Sequence, residues 1–164
     1  MLLLNSFFNH ESLIAFTTDS TRDYTLQESR PYMTAQERSL LEAPFSVTFD
    51  RFAWARQVHG DRVLVVDEEF LGRNALDDAD ALVTNLKNVL IAVRTADCLP
   101  VFLWDPEHGA MGVVHAGWKS TYKKILHRAI EAMNGNFQTN AGELKVAFGP
   151  VIRPCCYQVG PEFK

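Results

Sequence analysis

The sequence predicts an α+β domain, a mixed α/β sandwich. Three observations lead there. Short apolar runs of strand length recur along the chain, one long segment has helical periodicity, and Gly, Pro, Asn and Asp punctuate the intervals. At 164 residues, with 47% apolar and 22% charged side chains, the chain suits one domain with a sizeable core.

Leu13 to Thr18 predicts a strand, followed by a polar, turn-like stretch from Thr17 to Arg30. Thr34-Ala35-Gln36-Glu37 fits a capping box, in which the Thr hydroxyl and Glu carboxylate each engage a free backbone N–H. A helix from Ala35 to Leu41 is expected, stopped by Pro44, with a strand over Phe45 to Phe49. Phe52 to Val58 is mixed, and His59-Gly60-Asp61 signals a turn. Further strands are expected at Arg62–Asp67, Ala81–Thr84, Val89–Arg94, Leu99–Trp104, Met111–His115 and Leu144–Phe148, with an Asp-rich loop from Gly72 to Ala79. The periodic segment from Ser120 to Met133 puts Tyr122, Ile125, Leu126, Ala129, Ile130 and Met133 on one helix face. Asn134-Gly135 is its expected stop. The pattern does not give strand pairing.

The formal net charge of −4, with both signs interspersed, argues against a nucleic-acid partner. No apolar run approaches the roughly 20 residues of a membrane span, and the first residues lack a basic n-region. A cytoplasmic location is the resulting expectation. Cys98, Cys155 and Cys156 make a poor disulfide framework, because the count is odd and adjacent cysteines pair only with strain.

Three segments place a potential ligand at a strand-to-loop junction: Gln57-Val58-His59-Gly60, Thr95-Ala96-Asp97-Cys98 and His115-Ala116-Gly117-Trp118. Two imidazoles and a thiolate are good zinc ligands, and three protein ligands leave the open position of a catalytic site. Asp78, Asp80 and Asp97 are candidates to orient the histidines. The spacing leaves a second reading open, with Cys98 as nucleophile and His115 or His59 as its base. Arg94, Lys119 and Arg153 lie beside these segments, where cations could receive a phosphate or be ordinary surface charges. His10, His108 and His127 are expected to be bystanders, Cys155-Cys156 a packed loop, and Trp54, Trp104 and Trp118 core or rim residues.

Five ordered motifs carry a resemblance: QVHG at 57–60, DADALVT at 78–84, TADCLPVFLWD at 95–105, VVHAGWKS at 113–120 and GPVIRPCCYQVGPEF at 149–163. Together they resemble the laccase-domain family, also called the multicopper polyphenol oxidase or peptidoglycan-editing-factor family, over roughly residues 54 to 163. The resemblance implies a mixed-sheet α/β sandwich that is not a cupredoxin fold, and a zinc centre at His59, Cys98 and His115. It implies phosphorolysis of purine nucleosides (adenosine, inosine, guanosine, methylthioadenosine) to free base and ribose 1-phosphate, with adenosine deaminase activity. Gln57, Arg94, Asp97, Lys119 and Tyr157, within or beside the motifs, are the expected substrate contacts. The partners expected are therefore a nucleoside and phosphate, with oligomeric state left open.

Three other functions rank behind this one: a Cys/His hydrolase editing cell-wall precursors, a metal-binding module without turnover, and, last, a copper polyphenol oxidase. Two departures from the family pattern stand out. Thr17 to Arg22 lacks the family's glycine pair, and family domains continue past the CCYQVGPEF segment. Residues 1–164 are accordingly expected to form one laccase-family domain lacking its C-terminal segment.

Overall fold

The computed structural model describes residues 2–3, 13–18, 33–43, 48–73 and 76–161. Nine strands and four helices alternate among them. The strands are β1 (Leu2–Leu3), β2 (Phe16–Thr17), β3 (Arg51–Ala53), β4 (Val63–Val65), β5 (Ala81–Thr84), β6 (Val89–Ile91), β7 (Leu99–Asp105), β8 (Ala110–Ala116) and β9 (Lys145–Phe148). The helices are α1 (Ala35–Glu42), α2 (Glu68–Leu71), α3 (Trp118–Tyr122) and α4 (Ile125–Phe137).

Five strands form one mixed sheet in the order β4-β5-β8-β7-β9. β4 and β5 run parallel, and the remaining neighbours antiparallel. β3 and β6 form a separate parallel pair, and β1 and β2 an antiparallel one. Alternation along each strand assigns the two faces of the large sheet. Ala81, Val83, Val101, Leu103 and Val114 pack against Ile125, Ala129, Met133 and Phe137 of α4. On the opposite face, Leu82 and Val113 pack with Ala53 of β3 and Val89 of β6. The result is the mixed α/β arrangement expected, with the large sheet between a helix and a small parallel pair. No helix among the described residues is long and apolar enough to cross a membrane.

The capping box forms as expected. The Thr34 hydroxyl accepts from the Glu37 N–H, and the Glu37 carboxylate accepts from the Thr34 N–H at 2.7 Å. β5 matches its expected bounds, and β7 and β8 each exceed theirs only at the ends. The strand expected over Leu13–Thr18 is reduced to Phe16–Thr17. β3 and α2 were not expected; α2 is capped by the Asp67 side chain, which accepts from the Phe70 N–H at 2.7 Å. Most of the polar stretch to Arg30, the Pro44 stop and the greater part of the strand over Phe45–Phe49 lie outside the described residues, as does His10.

Two corrections concern the long helix. It is two helices, broken at Lys124, whose φ of 64° is left-handed. The chain leaves β8 through Gly117 and must turn before Ile125 can dock on the sheet, so Tyr122 is 85% exposed instead of joining the buried stripe. Nor does Asn134-Gly135 end the helix; it continues to Phe137, and left-handed Gln138 caps it. Phe137 extends the buried series Ile125, Ala129, Met133 by one further turn. Burying a Phe side chain contributes about 1.5–3 kcal/mol, which outweighs the roughly 1 kcal/mol that a helical glycine costs.

Met133 is fully buried in this stripe. Met133→Ala is therefore expected to lower the unfolding free energy by about 2–5 kcal/mol in urea titration. Gln138→Gly relieves a left-handed side chain and is expected to raise it by up to about 1 kcal/mol.

Candidate metal centre

Strand register gathers the site. β5 and β8 pair antiparallel with Ala81 opposite Val114, so one step further sets Asp80 opposite His115. The His115 N–H donates to the Asp80 carbonyl at 2.7 Å, extending the ladder. In the β7–β8 pair Leu99 faces Ala116, so the next step sets Cys98 opposite Gly117. A Cβ on Gly117 would lie 2.9 Å from His59 Cδ2 and 3.1 Å from Cys98 Sγ. Only glycine lets the backbone pass this close to both side chains.

His59 arrives from a different loop. Its backbone is left-handed, with φ of 56°, a conformation costing a non-glycine residue about 1 kcal/mol or more. The Asp80 carboxylate holds that turn, accepting from the N–H groups of Val58 (3.2 Å), His59 (3.0 Å) and Gly60 (2.6 Å). The same carboxylate accepts from His115 Nδ1 at 2.8 Å. Asp80 is fully buried. Burial alone would raise its pKa, but the His115 ring and the N–H groups of Gly60 and Val58 outweigh that and hold the carboxyl below its ordinary range. With Nδ1 engaged, Nε2 is the ring nitrogen that His115 has left to offer.

The ligand atoms of His59, Cys98 and His115 all lie within 4.8 Å of one another. The two imidazoles meet edge to face, with centroids 4.8 Å apart. His115 is buried, Cys98 half-buried and His59 exposed, so the cluster is reachable from solvent on one side. Burial pushes the Cys98 thiol pKa up, and the Asp97 and Asp80 carboxylates push it further the same way. These are surroundings that favour a cation over a bare thiolate. A His, Cys, His set so gathered could bind a metal ion.

Of the three candidate orienting acids, only Asp80 takes the role. Asp78 is paired with Arg56, and Asp97 is exposed, with its carbonyl accepting from the Ile152 N–H at 3.0 Å. Gln57 is a clamp: its amide donates to the Arg94 carbonyl and accepts from the Arg94 N–H, both at 2.7 Å. Arg94 is exposed, its guanidinium 5.3 Å from the Trp54 ring, and Lys119 stands 5.4 Å over Trp118. Tyr157 and Arg153 are exposed. Trp54 and Trp104 are core residues, whereas Trp118 is half-exposed beside Gly117. His127 is exposed on α4, and His108 bonds Asp105 in the β7–β8 turn. A mostly apolar cavity of about 280 Å³, lined by Phe16, Leu41, Ile91, Phe102 and Val113 among others, includes none of the three cluster residues. Neither the close approach at Gly117 nor the anchoring of the His59 turn is expected from the sequence. An acid directly preceding a fully buried strand was the available signal for Asp80.

Residues 25–164 match the model of the family described as multi-copper polyphenol oxidoreductase laccase. A purine nucleoside phosphorylase from Deinococcus radiodurans is 40% identical over 132 residues, covering 80% of this chain and 50% of that protein. The adenosine deaminase RL5, from an unknown prokaryotic organism, is 37% identical over 131 residues, covering 76% of this chain and 50% of its own length. The crystal structure of YlmD from Geobacillus stearothermophilus superposes with a TM-score of 0.69 at 30% identity, covering 77% of this chain and 49% of that one. The chain thus spans about half the length of the curated relatives it matches.

Replacing Asp80 by Ala would leave the His115 ring and three backbone N–H groups without their shared acceptor. The expected loss of stability in the metal-free protein is about 3–5 kcal/mol, measured by denaturant unfolding. A loss below 1 kcal/mol would show that the carboxylate does not hold the loop.

Proposed function

The chain belongs to the multi-copper polyphenol oxidoreductase laccase family, and from that premise we propose that it processes purine nucleosides at a zinc ion held by His59, Cys98 and His115. The observation that carries this reading is the gathering of three zinc-type donors, one of them fixed from behind by a buried carboxylate. Relatives named purine nucleoside phosphorylase and adenosine deaminase supply the substrate class. The donors fit zinc in kind, and Gly117 leaves the room they need. A bound zinc ion supplies Lewis acidity and lowers the pKa of water at its open position.

The chain's own residues supply the rest. Asp80 fixes the tautomer and aim of His115 and the turn that presents His59. Gln57 fixes the backbone of Arg94. Arg94, tied to Gln57 two residues from His59, and Lys119, two residues past Gly117, are the cations assigned here to receive phosphate. In phosphorolysis of inosine, a phosphate oxygen bonds C1′ as the glycosidic C1′–N9 bond breaks. The purine leaves with the electron pair and takes up a proton. In deamination of adenosine, water adds at C6 and ammonia leaves, giving inosine. That step needs a carboxylate to move a proton. Asp80 is committed to four donors and Asp78 to Arg56. Asp97, exposed and adjacent to Cys98, is the acid assigned here.

The nucleophilic-cysteine reading needs a lowered Cys98 pKa, whereas burial and the Asp97 and Asp80 carboxylates push that thiol up.

The test is phosphate-dependent release of hypoxanthine from inosine, with the wild type compared against Cys98→Ala and His115→Ala at matched zinc concentration. Activity in the wild type and a drop of about 10²-fold or more in both variants is expected. A folded, zinc-bound wild type that leaves inosine and adenosine unchanged would overturn the proposal. A separate outcome concerns Asp80→Asn, which keeps the shape but places an amide against three backbone N–H groups. Its zinc affinity, read by competition with a chromophoric chelator, is expected to fall by about 10–100-fold.

A further inference from the structure

A second pair of sulfurs lies outside the metal cluster. Cys155 and Cys156 sit in a tight turn in which the N–H groups of Cys156 and Tyr157 both donate to the Arg153 carbonyl, at 2.9 and 3.0 Å. The base of this loop is tied to the Cys98 segment by the Ile152 N–H, which donates to the Asp97 carbonyl at 3.0 Å. In an extended chain, consecutive side chains point to opposite sides. Here the turn brings the two Sγ atoms to 3.1 Å, and both residues are exposed. The expectation of a packed loop is corrected accordingly.

The backbone disfavours a disulfide between them. Consecutive Cα atoms across a trans peptide are about 3.8 Å apart, short of the roughly 4.4–6.8 Å that disulfides adopt. The pair is therefore a standing dithiol whose sulfurs point the same way. Its spacing suits a narrow bite. Two metal–sulfur bonds of about 2.3 Å closing on this separation enclose an angle of about 85°. That is well below the tetrahedral angle zinc prefers and close to the right angle of a trivalent, pyramidal centre. Thiolates favour soft partners generally, and the bite narrows the choice.

We propose that Cys155 and Cys156 form a vicinal dithiol site for trivalent, pyramidal thiophilic centres, of which a monosubstituted trivalent arsenical is the simplest. The step is condensation without change of oxidation state. Two As–S bonds form, two As–OH bonds break, and the two thiol protons leave with the hydroxyls as two waters. Because the turn already holds both sulfurs together, the second bond forms within the same molecule and closes a chelate. The site is independent of the nucleoside reading and uses none of its residues.

The reduced, folded chain is titrated with phenylarsine oxide while exposed thiols are counted with a chromogenic disulfide. One equivalent is expected to protect two thiols, in the wild type and equally in Cys98→Ser. Dimercaprol should reverse the protection, and the same concentration of thiol groups as mercaptoethanol should not. Cys155→Ser and Cys156→Ser should each weaken binding by on the order of 10²-fold or more. These exposed substitutions are not expected to disturb folding, which circular dichroism checks. Protection that survives Cys155→Ser would overturn the site, as would equal reversal by mercaptoethanol. A second equivalent of zinc lost with Cys155→Ser would overturn the argument from bite angle.

Discussion

One buried carboxylate holds the site together. Asp80 has no contact with solvent, and its two oxygens accept from the His115 ring and from three successive backbone N–H groups. A buried charge without such partners would be costly or would neutralise itself. Here the partners are so complete that the carboxyl stays ionised, despite burial that pulls the other way. The arrangement works in both directions. The donors make the charge tolerable, and the charge makes a strained left-handed turn at His59 tolerable. Two residues from distant parts of the sequence are thereby fixed relative to one another by a group that need not touch a metal.

The sheet determines where this can happen. β5, β7 and β8 are the best-packed strands, with Ala81, Leu82, Val83, Val101 and Val114 almost wholly buried. Their antiparallel register is fixed by which face each side chain must bury, since a slip of one residue would exchange the helix side for the β3–β6 side. That register, continued one residue past each paired segment, places Asp80 against His115 and Cys98 against Gly117. The site therefore sits at the ends of largely buried, paired strands, as precise placement of side chains requires. His59, alone of the three cluster residues, neither lies in nor adjoins a strand of this sheet, and it is the one held by the three-fold backbone anchor.

Much of this was legible in the sequence, and particular residues show why the remainder was not. The strands at 81–84, 99–105 and 110–116 are mostly apolar runs bounded by turn residues, and the three candidate ligands stand at or near their ends or in a marked turn. Thr34 and Glu37 announce their helix through local chemistry alone. The break at Lys124 is different. Tyr122 and Ile125 share helical spacing, and only the tertiary need to leave Gly117 and then dock Ile125 separates them. The same holds for Asn134-Gly135, overridden by a buried Phe137 four residues after Met133. Among Asp78, Asp80 and Asp97, composition offers no choice. It takes the register to show that one faces His115, one faces Arg56 and one faces water.

The electrostatics of Cys98 bear on which chemistry these residues can share. A thiol used as a nucleophile is placed where positive charge, a helix N-terminus or an imidazolium stabilises its anion. Cys98 has two imidazoles within 4.8 Å, but its partial burial and the Asp97 and Asp80 carboxylates raise its pKa. The Asp80 carboxylate also binds the Nδ1 side of His115, so that ring is held with its remaining nitrogen directed away from the acid. Such surroundings are unfavourable for a free thiolate and favourable for a cation that the thiolate and two imidazoles could share. A divalent ion would invert the local balance, since its charge stabilises the thiolate that the carboxylates oppose. The same negative environment that weakens the case for covalent catalysis thus strengthens the case for metal binding, and it does so through Asp80, the residue that also builds the site.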